Sequence, residues 1–283
     1  MLLIGYLVFT FVYISVFFHK IPSAGFHLLA RIVLVGIIFY IPRLEKMAGK
    51  PLWDFLRIAY PLIFLSFFYS ETDALNNVFF QNLDYHFARF DAIVFGFQPS
   101  LAFYTAIPDR WFSELMNFSY FSYYFLIAAY SIYVFVKDRP NFIRTIFYIT
   151  CSFLIYYIIF MIVPVSGPQY FFEPPHNKIP DSGVFRFLVK FVEWIGERPT
   201  AAFPSSHVGM VLILIFMAWP VHKKTWIWLV PFFVFLSMST VYIKAHYAVD
   251  VIGGIISAPV ILFLSRVIFN YFSKNKYLIP NKE

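Results

Sequence analysis

The chain has 283 residues, of which 60% are hydrophobic, 23% aromatic and 13% charged, with a formal net charge of +7. A soluble domain needs about a quarter of its residues charged to solvate its surface, so this composition excludes one. The positive balance would suit nucleic acid, but in so apolar a chain the basic residues report membrane orientation first, and no nucleic-acid partner is expected.

Apolar runs of roughly 17–25 residues, the length that crosses a bilayer core as a helix, recur along the sequence. Eight spans are predicted, at about 2–18, 25–42, 52–70, 112–136, 143–163, 206–221, 225–243 and 247–269. The expected fold is all-α: a polytopic membrane helix bundle of about eight spans, with interfacial amphipathic helices in the outer loops. The first run, Leu2 to Phe18, lacks a basic leader and a small-residue cleavage site, and is expected to be retained as a helix. Short polar breaks with proline, such as Lys20-Ile21-Pro22 and Asp138-Arg139-Pro140, separate the spans. No linker or repeat divides the chain. Residues 1–283 therefore read as one membrane domain, with N-terminal spans in 1–70 and a catalytic bundle in 71–283. The single Cys151 lies inside a run, which excludes an intrachain disulfide and reads as a buried hydrophobe.

Basic residues set the orientation. Arg43, Lys46 and Lys50 follow the second span; Lys137, Arg139 and Arg144 follow the fourth. Lys223 and Lys224 follow the sixth, and Lys274, Lys276 and Lys282 the eighth. With eight spans all four groups share one side, which the positive-inside rule makes cytoplasmic. This predicts a multi-pass integral membrane protein with both termini cytoplasmic. The 71–111 and 164–205 loops and the turn at Lys244 then face outward. Residues 182–198 read as an amphipathic helix, with Arg186, Lys190, Glu193 and Glu197 on one face. Val184, Leu188, Phe191, Trp194 and Ile195 supply the other, as expected of a helix in the interface plane with Trp194 at headgroup level. Asn76–Ala106, with Phe79, Phe80, Phe90 and Phe95, reads as a second interfacial or re-entrant segment. Both segments suit either a vestibule for a lipid headgroup or a lid packed on the bundle. His86, beside Asp84 and Arg89, reads as a solvated or interfacial cluster. Arg31 and Arg57 are expected to snorkel or pair, and His19, His27, His176 and His222 have no partner at catalytic spacing.

Chemistry concentrates near the C-terminal end. Phe203-Pro204-Ser205-Ser206-His207 opens the sixth span, with Pro204 and Ser205 where a helix would start. The free N–H groups of such a start, with Ser205 and Ser206 beside them, make a ready anion site. His207, in the first turn, can donate a proton to a leaving-group oxygen. The plainer alternative is an interfacial histidine bonded to a loop carbonyl. His246 opens the last span, and Asp250 follows one turn later on the same face. A carboxylate at that depth needs a partner, and His246 is the nearest candidate. Asp250 can hold the ring of His246 in one tautomer while the other nitrogen acts as a nucleophile; a structural His–Asp pair is the alternative. Two histidines and an aspartate on one side of the membrane point to phosphoryl transfer through a phosphohistidine. No cluster has metal-ligand spacing, and this chemistry calls for no metal or other cofactor.

Pro-Ser-Ser-His at 204–207, then Ser239-x6-His246-x3-Asp250 with Tyr247 and Gly253-Gly254, resembles the type 2 phosphatidic acid phosphatase superfamily. That group includes lipid phosphatases, glucose-6-phosphatases and vanadium haloperoxidases, and the likeness is close over about the last 90 residues. Phe90-Asp91-Ala92-Ile93-Val94-Phe95-Gly96-Phe97-Gln98-Pro99 and Pro164-Val165-Ser166-Gly167-Pro168 resemble the branch of the inositol phosphorylceramide synthases. The resemblance implies that His246 is the nucleophile, that Asp250 orients it, and that His207 is first acid and then base. Ser239 is followed by Thr240 where the family has a Ser-Arg pair, and Ser206 replaces a glycine. The family's Lys-x6-Arg-Pro motif is missing from its usual place. Lys190-x7-Arg198-Pro199 is one residue too long, although either cation could reach the phosphate. Lys244, two residues before His246, is the expected substitute charge, a point charge where the family uses a guanidinium fork.

The expected activity is cleavage of a lipid phosphate ester at the outer membrane face, as a lipid phosphatase. The alternative is a phosphotransferase that moves a phospho-headgroup, such as phosphoinositol, onto a ceramide or diacylglycerol-type acceptor. The partners are then a membrane phospholipid and, for transfer, a lipid alcohol. A non-enzymatic transporter or scaffold is the second alternative, disfavoured because the spans lack the paired Gly-broken segments of many transporters.

Overall fold

With no water in a bilayer core to satisfy the backbone, an apolar run must bond within itself, and the runs of this chain fold as helices. The computed structural model describes residues 1–41, 51–174, 176, 183–196, 198–221 and 224–274. In chain order these form α1 (Leu2–Val16), α2 (Ala24–Tyr40), α3 (Pro51–Leu75), α4 (Asp84–Phe95), α5 (Pro99–Ala106) and α6 (Arg110–Lys137). They continue with α7 (Arg139–Ile162), α8 (Pro168–Phe171), α9 (Val184–Gly196), α10 (Ser206–Ala218), α11 (Thr225–Tyr242) and α12 (Ala248–Lys274). Among the described residues there is no strand. The protein is an all-α polytopic bundle. Five helices, α3, α6, α7, α11 and α12, are long and apolar enough to cross a bilayer, while α1, α2 and α10 are shorter apolar helices. Each of the eight expected spans coincides with one of these eight. Arg43, Lys46, Lys50, Glu197, His222, Lys223, Lys276 and Lys282 lie outside the described residues.

Two contacts fix the direction of the N-terminal helices. Tyr13 Oη, near the end of α1, donates to the carbonyl of Leu75 at the end of α3 (3.0 Å). Arg139, at the start of α7, pairs with Asp54, at the start of α3 (2.7 Å). The long helices thus alternate in direction, and the start of α10 and the α11–α12 turn fall at one end of the bundle. Lys137, Arg139, Arg144, Lys224 and Lys274 fall at the other.

The core is built by α6, α7, α10, α11 and α12, with α1 and α3 joining it through residues such as Leu7, Leu65 and Phe68. Where α10 meets α12, a Cβ added at Gly254 would lie 2.5 Å from the carbonyl oxygen of Ser205, and one at Gly209 would lie 3.2 Å from that of Gly254. Gly254 must lack a side chain for the two backbones to touch, whereas at Gly209 the atom in the way of a Cβ is first the Tyr156 hydroxyl of α7. This contact sits within a turn of His207.

Charge is buried in two further places. Arg31, Glu71 and His27 are almost fully buried between α1, α2 and α3. Arg31 Nη1 lies 2.5 Å and His27 Nδ1 2.6 Å from Glu71 Oε1, and Arg31 Nε donates to Thr10 Oγ1 at 3.2 Å. Arg31 therefore pairs, and His27 has a partner that sequence spacing hides. On α9, Arg186 is buried and bonds Glu193 (3.2 Å), while Glu114 of α6 accepts the first N–H groups of the helix from Phe185 (3.0 Å) and Arg186 (3.2 Å). Its apolar residues Val184, Phe187, Phe191, Trp194 and Ile195 point outward, Trp194 being 79% exposed. This orientation is the inverse of a helix on a water-soluble protein, and it suits a lipid surface. In the 76–106 stretch, Phe79, Phe80, Phe90, Ile93, Val94 and Phe95 are likewise exposed.

Candidate active site

His246 lies in the turn between α11 and α12, where its N–H donates to the carbonyl of Thr240 (3.0 Å). Its Nδ1 is 2.7 Å from the carbonyl oxygen of Ala202. A carbonyl can only accept, so the proton sits on Nδ1 and Nε2 keeps its lone pair. That Nε2 faces Nδ1 of His207 at 3.2 Å. His207 must then be the donor. The chain of bonds thus gives one histidine a free nucleophilic nitrogen and the other a transferable proton. Burial pushes the His246 imidazole down to about 4, with the Ala202 carbonyl pulling weakly the other way. Protonation removes the lone pair, so activity falls as pH drops through that value. In a pH–rate profile the contribution of His246 to the acid limb is expected near pH 4, well below the roughly 6.5 of a free imidazole.

The ring of His207 is set by aromatic walls from α6. Tyr120 stacks on it at 4.8 Å between centroids, and Tyr123 lies at 4.4 Å. Tyr120 is ten residues into α6, so the site lies about 15 Å below the start of that helix. Ser205 is the N-cap of α10, with its hydroxyl accepting from the Val208 N–H (3.4 Å), and Ser206 hydrogen-bonds Tyr123. Ser205→Ala is expected to cost about 1 kcal/mol, read as a lower unfolding midpoint.

Asp250 holds the loop differently from the sequence expectation. Its Oδ2 accepts from the Tyr247 N–H (2.8 Å) and lies 3.6 Å from His246 Nδ1, too far for a hydrogen bond. The Ala202 carbonyl occupies the position expected for the carboxylate. The Asp250 carbonyl meanwhile accepts from the Ser205 N–H (3.0 Å), joining the two motifs.

Two carboxylates of α4 complete the frame. Asp91, fully buried, accepts from the N–H groups of Ala248 (3.0 Å) and Val249 (2.9 Å), and so caps α12. Burial raises its pKa while those two bonds oppose the rise. Asp84 accepts from the N–H groups of Ser166 and Gly167 (2.8 Å each) and from Tyr247 Oη (3.0 Å). It is fully buried, which corrects the reading of a solvated cluster; only His86 and Arg89 of that group are exposed. Gly167 has φ +101°, and a Cβ there would lie 2.5 Å from the carbonyl oxygen of Ala245, next to His246. Asp91→Ala is expected to cost about 2 kcal/mol as a lost helix cap. By shifting His246 it should also slow turnover by about 10- to 100-fold. Thermal unfolding and kcat check the two effects.

The family model described as the PAP2 superfamily matches residues 87–264, well over half of the chain. The chain belongs to the PAP2 superfamily. It is also similar to the inositol phosphorylceramide synthase of Candida albicans, with 39% identity over 83 residues. That match covers 29% of this chain and 16% of the relative. No solved structure matches. Membership of the PAP2 superfamily, together with the long apolar helices, fits a multi-pass membrane enzyme of that superfamily.

The cations expected around this PAP2 site are placed as follows. Lys244 has φ 64° and is buried. Its ammonium donates to the carbonyl of His176 and lies 5.5 Å from the ring centroid of Tyr104. Burial lowers its pKa. Lys190 is exposed on α9; Arg198 is exposed after it, within electrostatic reach of Asp73. Ser239 bonds back to the Leu236 carbonyl in its own helix (2.8 Å). Among the described residues, no arginine bonds to His207, His246 or Asp250. Asp84 and Asp91 brace the loops around His246, a placement that their sequence neighbourhood does not reveal beyond a carboxylate inside an aromatic-rich outer segment.

Proposed function

We propose that the protein transfers a phospho-headgroup from a phospholipid to a lipid alcohol through a phosphohistidine on His246. The observation that carries this reading is the directed hydrogen-bond chain from His207 to His246 to the Ala202 carbonyl. His246 Nε2 attacks phosphorus, the P–O bond to the leaving alcohol breaks, and His207, which enters this step as the imidazolium favoured by the negative phosphate beside it, gives that oxygen its Nδ1 proton and becomes neutral. The neutral His207 then takes the proton of the acceptor hydroxyl on Nδ1 and returns to the imidazolium, while the acceptor oxygen attacks phosphorus and the P–N bond breaks. The proton and the electron pairs balance over the two steps.

In-line displacement places the two nitrogens on opposite sides of the phosphorus. At 3.2 Å they are in contact, so substrate entry must part them. Asp250 acts on the imidazolium phosphate as a nearby charge and through the loop it braces. Lys244 is the cation closest to the nucleophile along the chain. A site with few cations favours a singly charged phosphodiester intermediate over a doubly charged monoester, which supports transfer. The relative's name suggests phosphoinositol as the headgroup and ceramide as the acceptor. Hydrolysis by water, the lipid phosphatase reaction, is the second reading; it needs no further residue, only access for water to the same intermediate.

The distribution of basic residues supports placing the histidines on the non-cytoplasmic face with both termini in the cytoplasm. Residues 1–70 would then add spans to a catalytic bundle in 71–283. The test uses purified protein and a labelled phospholipid, with and without ceramide or diacylglycerol. Product formed only when the acceptor is present is the expected result. Free phosphate or free phospho-headgroup released at the same rate without acceptor would support the phosphatase instead.

A further inference from the structure

The end of the bundle opposite the histidines holds a second polar feature. Between α6, α7, α10 and α12 lies a cavity of about 280 Å³, whose wall includes Tyr130, Asp138, Asn141, Arg144, Tyr148 and Arg266. Arg266 and Pro220 also line an adjoining cavity of about 520 Å³, otherwise walled by apolar residues such as Phe216, Leu262 and Phe263. Both guanidiniums lie within electrostatic reach of the Tyr148 phenol. Neither has a hydrogen bond or a carboxylate partner among the described residues. Asp138 is engaged by Asn141, whose Nδ2 lies 2.9 and 2.8 Å from its two oxygens.

Arginines near the end of membrane helices are costly unless they reach water or an anion. Arg266 lies eight residues before Lys274, about 12 Å from the end of α12, at the junction of the polar and apolar cavities. A phosphate diester matches the two guanidinium forks. Free phosphate would leave the apolar cavity bare, whereas a lipid fills both. We propose that this end carries a binding site for an anionic phospholipid. Its phosphate lies between Arg144 and Arg266, and an acyl chain lies along Phe216, Leu262 and Phe263. The site is separate from the histidine pair and does not depend on the reaction assigned to it.

The test titrates the purified full chain in detergent with phosphatidylglycerol, phosphatidylcholine or inorganic phosphate, counting bound lipid by native mass spectrometry. Wild-type protein is expected to bind phosphatidylglycerol at least about tenfold more tightly than phosphatidylcholine. Arg144→Gln and Arg266→Gln should each weaken phosphatidylglycerol by about tenfold or more. Leu262→Trp, which fills the apolar cavity, should weaken it with the charges intact. Equal affinity for the two lipids in the wild type overturns the proposal, as does unchanged phosphatidylglycerol binding in both arginine variants. Full displacement of phosphatidylglycerol by millimolar inorganic phosphate also overturns it, in favour of a soluble-anion site. If the glutamine variants fail to fold, Arg144→Lys and Arg266→Lys, which keep the charge but lose the guanidinium fork, take their place, and unchanged phosphatidylglycerol binding in both overturns the proposal.

Discussion

His246→Ala is expected to lower turnover by about 10³- to 10⁶-fold and to abolish any phosphorylated enzyme, because no other side chain in the turn presents a free lone pair to phosphorus. His207→Ala should behave differently. Loss of a general acid costs about 10²- to 10⁴-fold, and the loss falls on the step that expels a poor leaving group. A lipid phosphate ester with a nitrophenol leaving group needs no proton, so the His207 variant should form the adduct from it at near wild-type rate. The adduct should then accumulate, because the base for the second step is missing. Acid-labile, base-stable label on the protein, mapped to residue 246, measures both effects. Label retained in His246→Ala would overturn the assignment of nucleophile. Equal loss in the His207 variant with good and poor leaving groups would overturn its role as acid. The bonding supports this split, since the Nδ1 proton of His246 is committed to Ala202 and that of His207 points at its partner.

Glu71→Gln carries the largest expected cost in stability. Among the described residues Glu71 is the carboxylate partner of both Arg31 and His27, and all three side chains are buried among α1, α2 and α3. Removing the acid leaves a guanidinium without its anion, which costs about 3–5 kcal/mol in a buried pair. The α1–α2 hairpin should loosen first, seen as faster proteolysis there and a lower unfolding midpoint in detergent. Replacing Arg31 and Glu71 together by methionine and leucine should recover most of that loss, because an apolar pair of similar volume avoids the desolvation of charge. If the double variant is as unstable as Glu71→Gln, the cluster does more than hold the hairpin.

What was legible in the sequence is what repeats at helical spacing or within a short motif. The apolar runs gave the helices, and Ser205 gave the start of α10. The histidines could be read as neighbours because counting spans put both at one end of the bundle, and there they touch. The rest lies in contacts across long stretches of chain. Asp91 reaches the start of α12 across 157 positions, and Asp84 reaches Tyr247 across 163. The orienting group of His246 is a backbone carbonyl, which leaves no side-chain signature; spacing therefore favoured Asp250, which the fold sets against the Tyr247 N–H instead. The expected span at 206–221 closes early, at Ala218, where Trp219 and Pro220 end α10. Glu71 is separated from Arg31 by 40 positions and from His27 by 44, so neither pairing shows as a local pattern.

The glycine contact between α10 and α12 has a mechanical consequence. Any tilt of α10 against α12 would turn about this point of contact as about a fulcrum, and His207 stands only two residues from Gly209. A tilt of roughly 10° acts there on a lever arm of about 3 Å and moves the ring by only ~0.5 Å. The far end of α10, nine residues beyond the fulcrum, swings through ~2 Å or more for the same tilt. Such a tilt would change the width of the arginine-lined end far more than the gap between the histidines. Parting the 3.2 Å contact falls to ring rotation against Tyr120 and Tyr123 and to the short turn that carries His246.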